Sequence, residues 1–387
     1  MDKLFKKIKI TKNVFVLGMV SLLTDISSEM IIPLLPIFIV SRLGASKQAL
    51  GLIEGVAEST SSLLKVFSGW YSDQVHKRKP IVLIGYSLST LTKPFLAISI
   101  IWTDVLLLRF TERVGKGLRT APRDAIIADS TKKTRRGLSY GYHKAMDSSG
   151  AILGSILALI LFPIFNIRGV FLLSVIPALL AVLVLWHFVE DKPVPKKTNT
   201  VGVESFKGFN NRFKYFIIIA SIFSLGNISY AFLIIRAMEL GIAEKYIPAI
   251  YLLFNIVYAL FSIPIGVLSD RFNRTYLIII GYSIFGFICL GFAYSSTVYH
   301  AIILFAFYGI HRASVKPTMR AFTSDLVSPE VRGTAFGALH TMVGITALPA
   351  NVIVGILYQY FGAGIAFSYG FIIAMFSAIL MIVFVKG

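Results

Sequence analysis

Apolar runs at residues 13–40, 48–71, 81–101, 105–128, 138–162, 168–189, 213–236, 246–269, 276–295, 299–323, 333–360 and 363–385 leave this chain of 387 residues few folds to choose from. Wound as a helix at about 1.5 Å per residue, each run can cross ~30 Å of hydrocarbon. A backbone amide in that layer has no water to bond, so each crossing must close its own hydrogen bonds as a helix. The sequence predicts an all-α, polytopic membrane protein with twelve transmembrane helices.

The charges fit that reading. Only 15% of residues are charged and 56% are hydrophobic, yet the net charge is +19. On a soluble chain that excess would point to nucleic acid. Here the lysines and arginines crowd the N-terminal tail and alternate loops, around residues 77–79, 132–136, 192–214, 271–274 and 332. Positive loops stay on the cytoplasmic side. The expectation is a multi-pass protein of the cell membrane with both termini cytoplasmic and no nucleic-acid partner. The basic N-terminal tail precedes a run too long for a cleaved signal, so it reads as a tail leading into the first span. A single cysteine, Cys289, excludes an internal disulfide and a cysteine-based metal site. No His-Glu-x-x-His and no phosphate-binding Gly-x-x-x-x-Gly-Lys-Ser/Thr occurs, so neither an enzyme, an ATP-driven pump nor a cofactor is expected.

The chain repeats itself. Gly69-Trp-Tyr-Ser-Asp73 returns as Gly266-Val-Leu-Ser-Asp270, and Asp129 through Arg136-Gly137 to Gly141 returns as Asp325 through Arg332-Gly333 to Gly337. The displacements are 197 and 196 residues. A duplicated six-helix unit follows. The expected parts are an N-terminal bundle at 1–190, a cytoplasmic linker at 191–212 and a C-terminal bundle at 213–387.

Twelve spans, two halves and these loops resemble the major facilitator superfamily. Its 2–3 loop signature, Gly-x-x-x-Asp-Arg-x-Gly-Arg-Lys, is matched by Gly69, Asp73, Lys77 and Arg78, with Gln74 and His76 departing from it. The second copy supplies Gly266, Asp270, Arg271 and Arg274, with Asn273 at the glycine position, where its tolerance of left-handed backbone makes the change mild. Arg113 to Gly117 fits a span-4 signature, and Gly150-x-x-x-Gly154 keeps part of a span-5 antiporter signature without its proline. The resemblance implies two pseudo-symmetric six-helix bundles around a central cavity. It also implies alternating access, with Asp73 and Asp270 as conformational latches.

Charges inside a span are costly and mark function. Asp25 and Glu29 share a face of span 1, with Asp25 ~20 Å beyond Lys12 by helical rise. Glu54 and Glu58 share a face of span 2. Span 4 carries a basic stripe, Arg109, Arg113, Lys116, Arg119 and Arg123, and span 5 carries His143 and Asp147. The expected coupling site comprises Asp25, Glu29, Glu54, Glu58, Arg113, Lys116, His143 and Asp147. In it the acids of spans 1 and 2 face the stripe and the His143–Asp147 pair; the structural alternative is a buried ion pair of Arg113 with Glu58 or Asp25 that serves helix register. A carboxylate in that setting can exchange a proton. Asn227, Asn255, His340 and Asn351 give the C-terminal half amides and a histidine, fit for shaping a substrate site. The functional expectation is a monomeric secondary transporter of a small solute, coupled to protons and working as an efflux antiporter. The alternatives are a divalent-cation exporter using Asp25, Glu29, His143 and Asp147, or a receptor or scaffold that transports nothing.

Overall fold

The computed structural model describes residues 10–74, 77–191, 209–328 and 331–385, and among these there is no strand. The 191–212 linker lies mostly outside the described residues. Eight helices are long and apolar enough to cross a bilayer. Two of them, Arg136–Phe188 and Arg332–Phe384, have 53 residues each, about twice a single crossing. Each is broken at one left-handed residue, Asn166 at φ 55° and Gly362 at φ 83°. Lys47–Gln74 and Trp102–Asp129, at 28 residues each, are also long enough and carry too many charges to count as apolar.

The described residues therefore hold the twelve expected helices. They are α1 (Lys12–Arg42), α2 (Lys47–Gln74), α3 (Lys79–Ile98), α4 (Trp102–Asp129), α5 and α6 (136–165 and 167–188), α7 (Asn211–Glu239), α8 (Ile247–Arg271), α9 (Arg274–Tyr294), α10 (Val298–Leu326), and α11 and α12 (332–361 and 363–384). Asn166 and Gly362 stand 196 residues apart. The turn between the last two helices is thus the same turn in each half, built once with glycine and once with asparagine.

Contacts group Met1–Leu35 with Thr60–Thr198 in one compact unit, and Pro36–Ser59 with Asn199–Gly387 in another. In the first unit α1 packs along α5 and α6, and α3 along α4. A buried apolar cluster of Val14, Leu17, Val20, Val82, Tyr86, Ile127 and Leu185 joins their ends. Asn13 ties the same ends by donating to Ser130 Oγ (3.1 Å) and to the Glu190 carbonyl (2.9 Å).

In the second unit α7 and α9 pack on the α11–α12 pair, and α8 on α10. Aromatic rings fill it. Phe223 stacks on Tyr282 at 3.7 Å, and Phe254 on Tyr308 at 5.2 Å. Asn210 repeats the role of Asn13, donating to the Leu326 carbonyl at 2.9 Å. The 36–59 segment lies in this unit. Its π-helical turn, Phe38–Arg42, leads into α2, whose Gly51 and Gly55 press on α11. A Cβ on Gly55 would stand 3.1 Å from Leu348 Cα, and one on Gly355 would stand 3.0 Å from Gln48 Cα. Small residues let two membrane helices touch backbone to backbone.

Candidate functional site

The acids of α1 are seated on glycines of α5. A Cβ added at Gly150 would lie 2.9 Å from Asp25 Cβ, and one at Gly154 would lie 2.8 Å from Glu29 Cβ. The four-residue spacing of the glycines matches that of the acids, so the helices close on each other along the acidic face. Asp147, on the same α5, accepts a short hydrogen bond from Ser21 of α1. His143 Nδ1 is 3.6 Å from Asp147 and Lys144 Nζ is 3.9 Å from it. Asp25 lies within electrostatic range of Asp147, Glu29, Lys116 and Lys144. Four of the expected site residues, Asp25, Glu29, Lys116 and Asp147, are thereby brought together, with His143 beside Asp147.

The basic stripe of α4 has an acid on its own helix for a partner. Glu112, in the same helix, accepts from Arg109 at 2.9 Å and lies 3.2 Å from Arg113 Nε. Neighbours on the stripe's own helix reach the guanidinium without any movement of another span. Arg119 donates to Ser89 and lies over the Tyr86 ring, 4.4 Å from its centroid. Lys93 of α3 donates to Ser27 of α1, which donates to the Ser174 carbonyl of α6. Arg123 pairs with Asp124 at 2.8 Å.

Glu54 and Glu58 fall in the second unit. There α7 is interrupted at Asn227-Ile-Ser229, and the helix restarts at Tyr230. Ser229 caps the restart and donates to Glu54 at 3.1 Å. Glu58 lies within electrostatic range of Arg312, as do Tyr251, Tyr258 and Tyr308. Arg312 was missed in the sequence, although it stands 196 residues after Lys116, the displacement the repeats had already set. Asn351 is buried at the α2 crossing and donates to the Ala347 carbonyl at 2.9 Å. Asn255 is buried in α8, Asn227 ends the first piece of α7, and His340 is half-buried on α11.

The two loop signatures fold into one arrangement made twice. Arg78 bridges Asp73, at 3.0 Å, and Asp129. Arg274 bridges Asp270, at 3.2 Å, and Asp325. Each guanidinium also donates to a carbonyl one residue before its first aspartate, Ser72 and Ser269. Lys77 and Arg271 are exposed. Gly69 has Ala121 Cβ 3.4 Å from where its own Cβ would be, and Gly266 has nothing within 4 Å. Asn273 is extended (φ −61°), and its side chain accepts from Thr275 N. It stands in the loop as a helix cap, for which asparagine is well suited, and its tolerance of left-handed backbone plays no part.

Residues 17–235 and again 214–386 match the family model described as Major Facilitator Superfamily. The chain belongs to the Major Facilitator Superfamily. It is 41% identical over 382 residues to an uncharacterized MFS-type transporter of Methanocaldococcus jannaschii, covering 97% of this chain and 95% of that one. A partial likeness, 27% over 143 residues, or 37% of this chain and 36% of the other, links it to the quinolone resistance protein NorA of Staphylococcus aureus. The fold is similar to that of a POT family transporter crystallised with 5-aminolevulinic acid, at TM-score 0.80, 15% identity and 96% coverage of both chains. This MFS protein is a multi-pass membrane transporter and not an enzyme. Among its described residues no group of three or more His, Cys, Asp or Glu side chains is placed to hold a metal ion.

Proposed function

We propose that this MFS protein is a proton-coupled secondary transporter that exports a small solute by alternating access. The observation carrying the proposal is the pair Asp25 and Glu29, held against Gly150 and Gly154 with Asp147 and Lys116 in range. Carboxylates at that depth are costly unless they exchange a proton or meet a moving counter-charge. Asp25 and Glu29 are the coupling acids, and Glu58, set near Arg312, is the third.

The protein works as a monomer in the cell membrane with both termini cytoplasmic. Its two repeated halves pass between two states in alternating access. The Arg78 and Arg274 bridges act as latches that hold in one state and open in the other. Asn227, Asn255, His340 and Asn351 shape the solute side. Export is supported by the partial likeness to the quinolone resistance protein and by the acids of α1. Proteoliposomes enclosing a pH dye test the proposal. Adding a transported solute changes the internal pH, whereas a receptor binds the solute and leaves the pH unmoved.

A further inference from the structure

We infer that the transported solute is an anion, a small carboxylate or phosphate, whose charge is met by Lys116 together with Arg113, with Lys93 and Arg119 completing the positive field of the first unit. The inference rests on the transport reading and names the class of its cargo.

The cations of α3 and α4 outnumber the acids around them. Lys93, Arg109, Arg113 and Arg119 are all buried, with 3%, 4%, 8% and 5% of their surface exposed. Glu112 meets Arg109 and Arg113. Among the described residues, Lys93, Lys116 and Arg119 have no carboxylate at ion-pair distance. Lys93 and Arg119 spend their hydrogen bonds on neutral serines and on a carbonyl. Lys116 is acted on by two cations, Arg113 and Lys65, and by two acids, Glu112 and Asp25, neither of the acids at ion-pair distance. A buried charge left without a partner costs several kcal/mol. A membrane span is no place for a structural surplus of this kind, because a leucine or glutamine would pack without the cost.

Of the acids in this unit, Glu112 is engaged by Arg109 and Arg113 and Asp147 by Ser21, His143 and Lys144, while Asp25 lies within electrostatic range of Lys116 without an ion pair to it. A cationic solute would add to an already positive interior, and a neutral one would leave the field unanswered. A carboxylate or phosphate answers it. Arginine offers such a group a planar fork, and lysine a point charge. Lys116 is half-exposed while its neighbours Arg113 and Arg119 are buried, so a solute can reach it, and the other half-exposed member, Arg123, is already paired with Asp124.

The test is the thermal stability of the full-length protein in detergent at constant ionic strength. The probes are benzoate, succinate, citrate, inorganic phosphate and glucose 6-phosphate, set against tetraethylammonium and glucose. The account expects a saturable rise in Tm with at least one anion and none with the cation or the sugar. Lys116→Gln should weaken that anion's apparent affinity tenfold or more, Lys116→Arg should keep most of it, and Lys12→Gln, altering an exposed pair with Glu190, should leave it unchanged. Stabilisation by tetraethylammonium or glucose alone, by no probe at all, or by anions equally in Lys116→Gln and the parent overturns the inference. Should Lys116→Gln fail to fold, Lys93→Gln read the same way decides. Proton flux is measured separately on the Asp25→Asn variant. Anion stabilisation without proton flux would sink the coupling proposal and leave this inference standing.

Discussion

Gly150 has its α-carbon so close to α1 that a Cβ there would stand 2.9 Å from the Cβ of Asp25 and 2.7 Å from the Leu22 carbonyl oxygen. The contact is backbone to backbone, so neither helix can yield by turning a side chain. Gly150→Val and Gly154→Val should each separate α1 from α5 at about 1–3 kcal/mol, the usual cost of overpacking. Thermal denaturation should read this as a drop of several degrees, with loss of transport. Gly266→Ala, with nothing within 4 Å, is the matched control and should melt like the parent.

The two latches should not weigh equally. The Arg78 side chain is 7% exposed and its carboxylates 54% and 40%. Arg274 is 22% exposed and its carboxylates 74% and 51%. Water screens the second more. Arg78→Ala should cost about 1–2 kcal/mol and Arg274→Ala about 0.5–1 kcal/mol. A double-mutant cycle with Asp129 and another with Asp325 checks the order. Equal coupling energies in the two halves would show that burial of the arginine is not what sets the strength.

The broken helices give a backbone prediction. Gly362 sits at φ 83° and Asn166 at φ 55°. Gly362→Ala should lower stability by roughly 1 kcal/mol, while Asn166→Gly should be close to neutral, since glycine visits that region freely and asparagine does so better than most residues. Melting temperatures of the two variants decide it. A Gly362→Ala protein as stable as the parent would mean that the turn can be rebuilt without the left-handed residue.

Much of this was legible in the chain. The apolar runs gave the helices because length and backbone satisfaction leave lipid-immersed sequence one solution. The 196–197 displacement gave the doubled loop, and both copies fold as the same arginine bridge. The partners inside the membrane were harder. Arg113 meets Glu112, one residue away, an acid that is near in every state of the spans because it stands on the same helix. Glu54 meets Ser229 across 175 residues, at a break in α7 that hydropathy alone does not mark, since the apolar run continues through it. Arg312 was hidden for another reason. It lies in an apolar run between His311 and Lys316, and only alignment with Lys116 in the other half picks it out. The span-5 glycines stood in the sequence as part of an antiporter signature, and the structure adds what they pack on, the acids of α1.

Asp25 carries the central claim, and one experiment addresses it directly. Proteoliposomes holding the Asp25→Asn variant are given an imposed pH gradient and the solute that changes internal pH with the parent protein. The account predicts that the gradient no longer drives solute movement, while exchange of labelled for unlabelled solute at equal pH continues. Solute movement driven by the gradient at the parental rate in Asp25→Asn would contradict it.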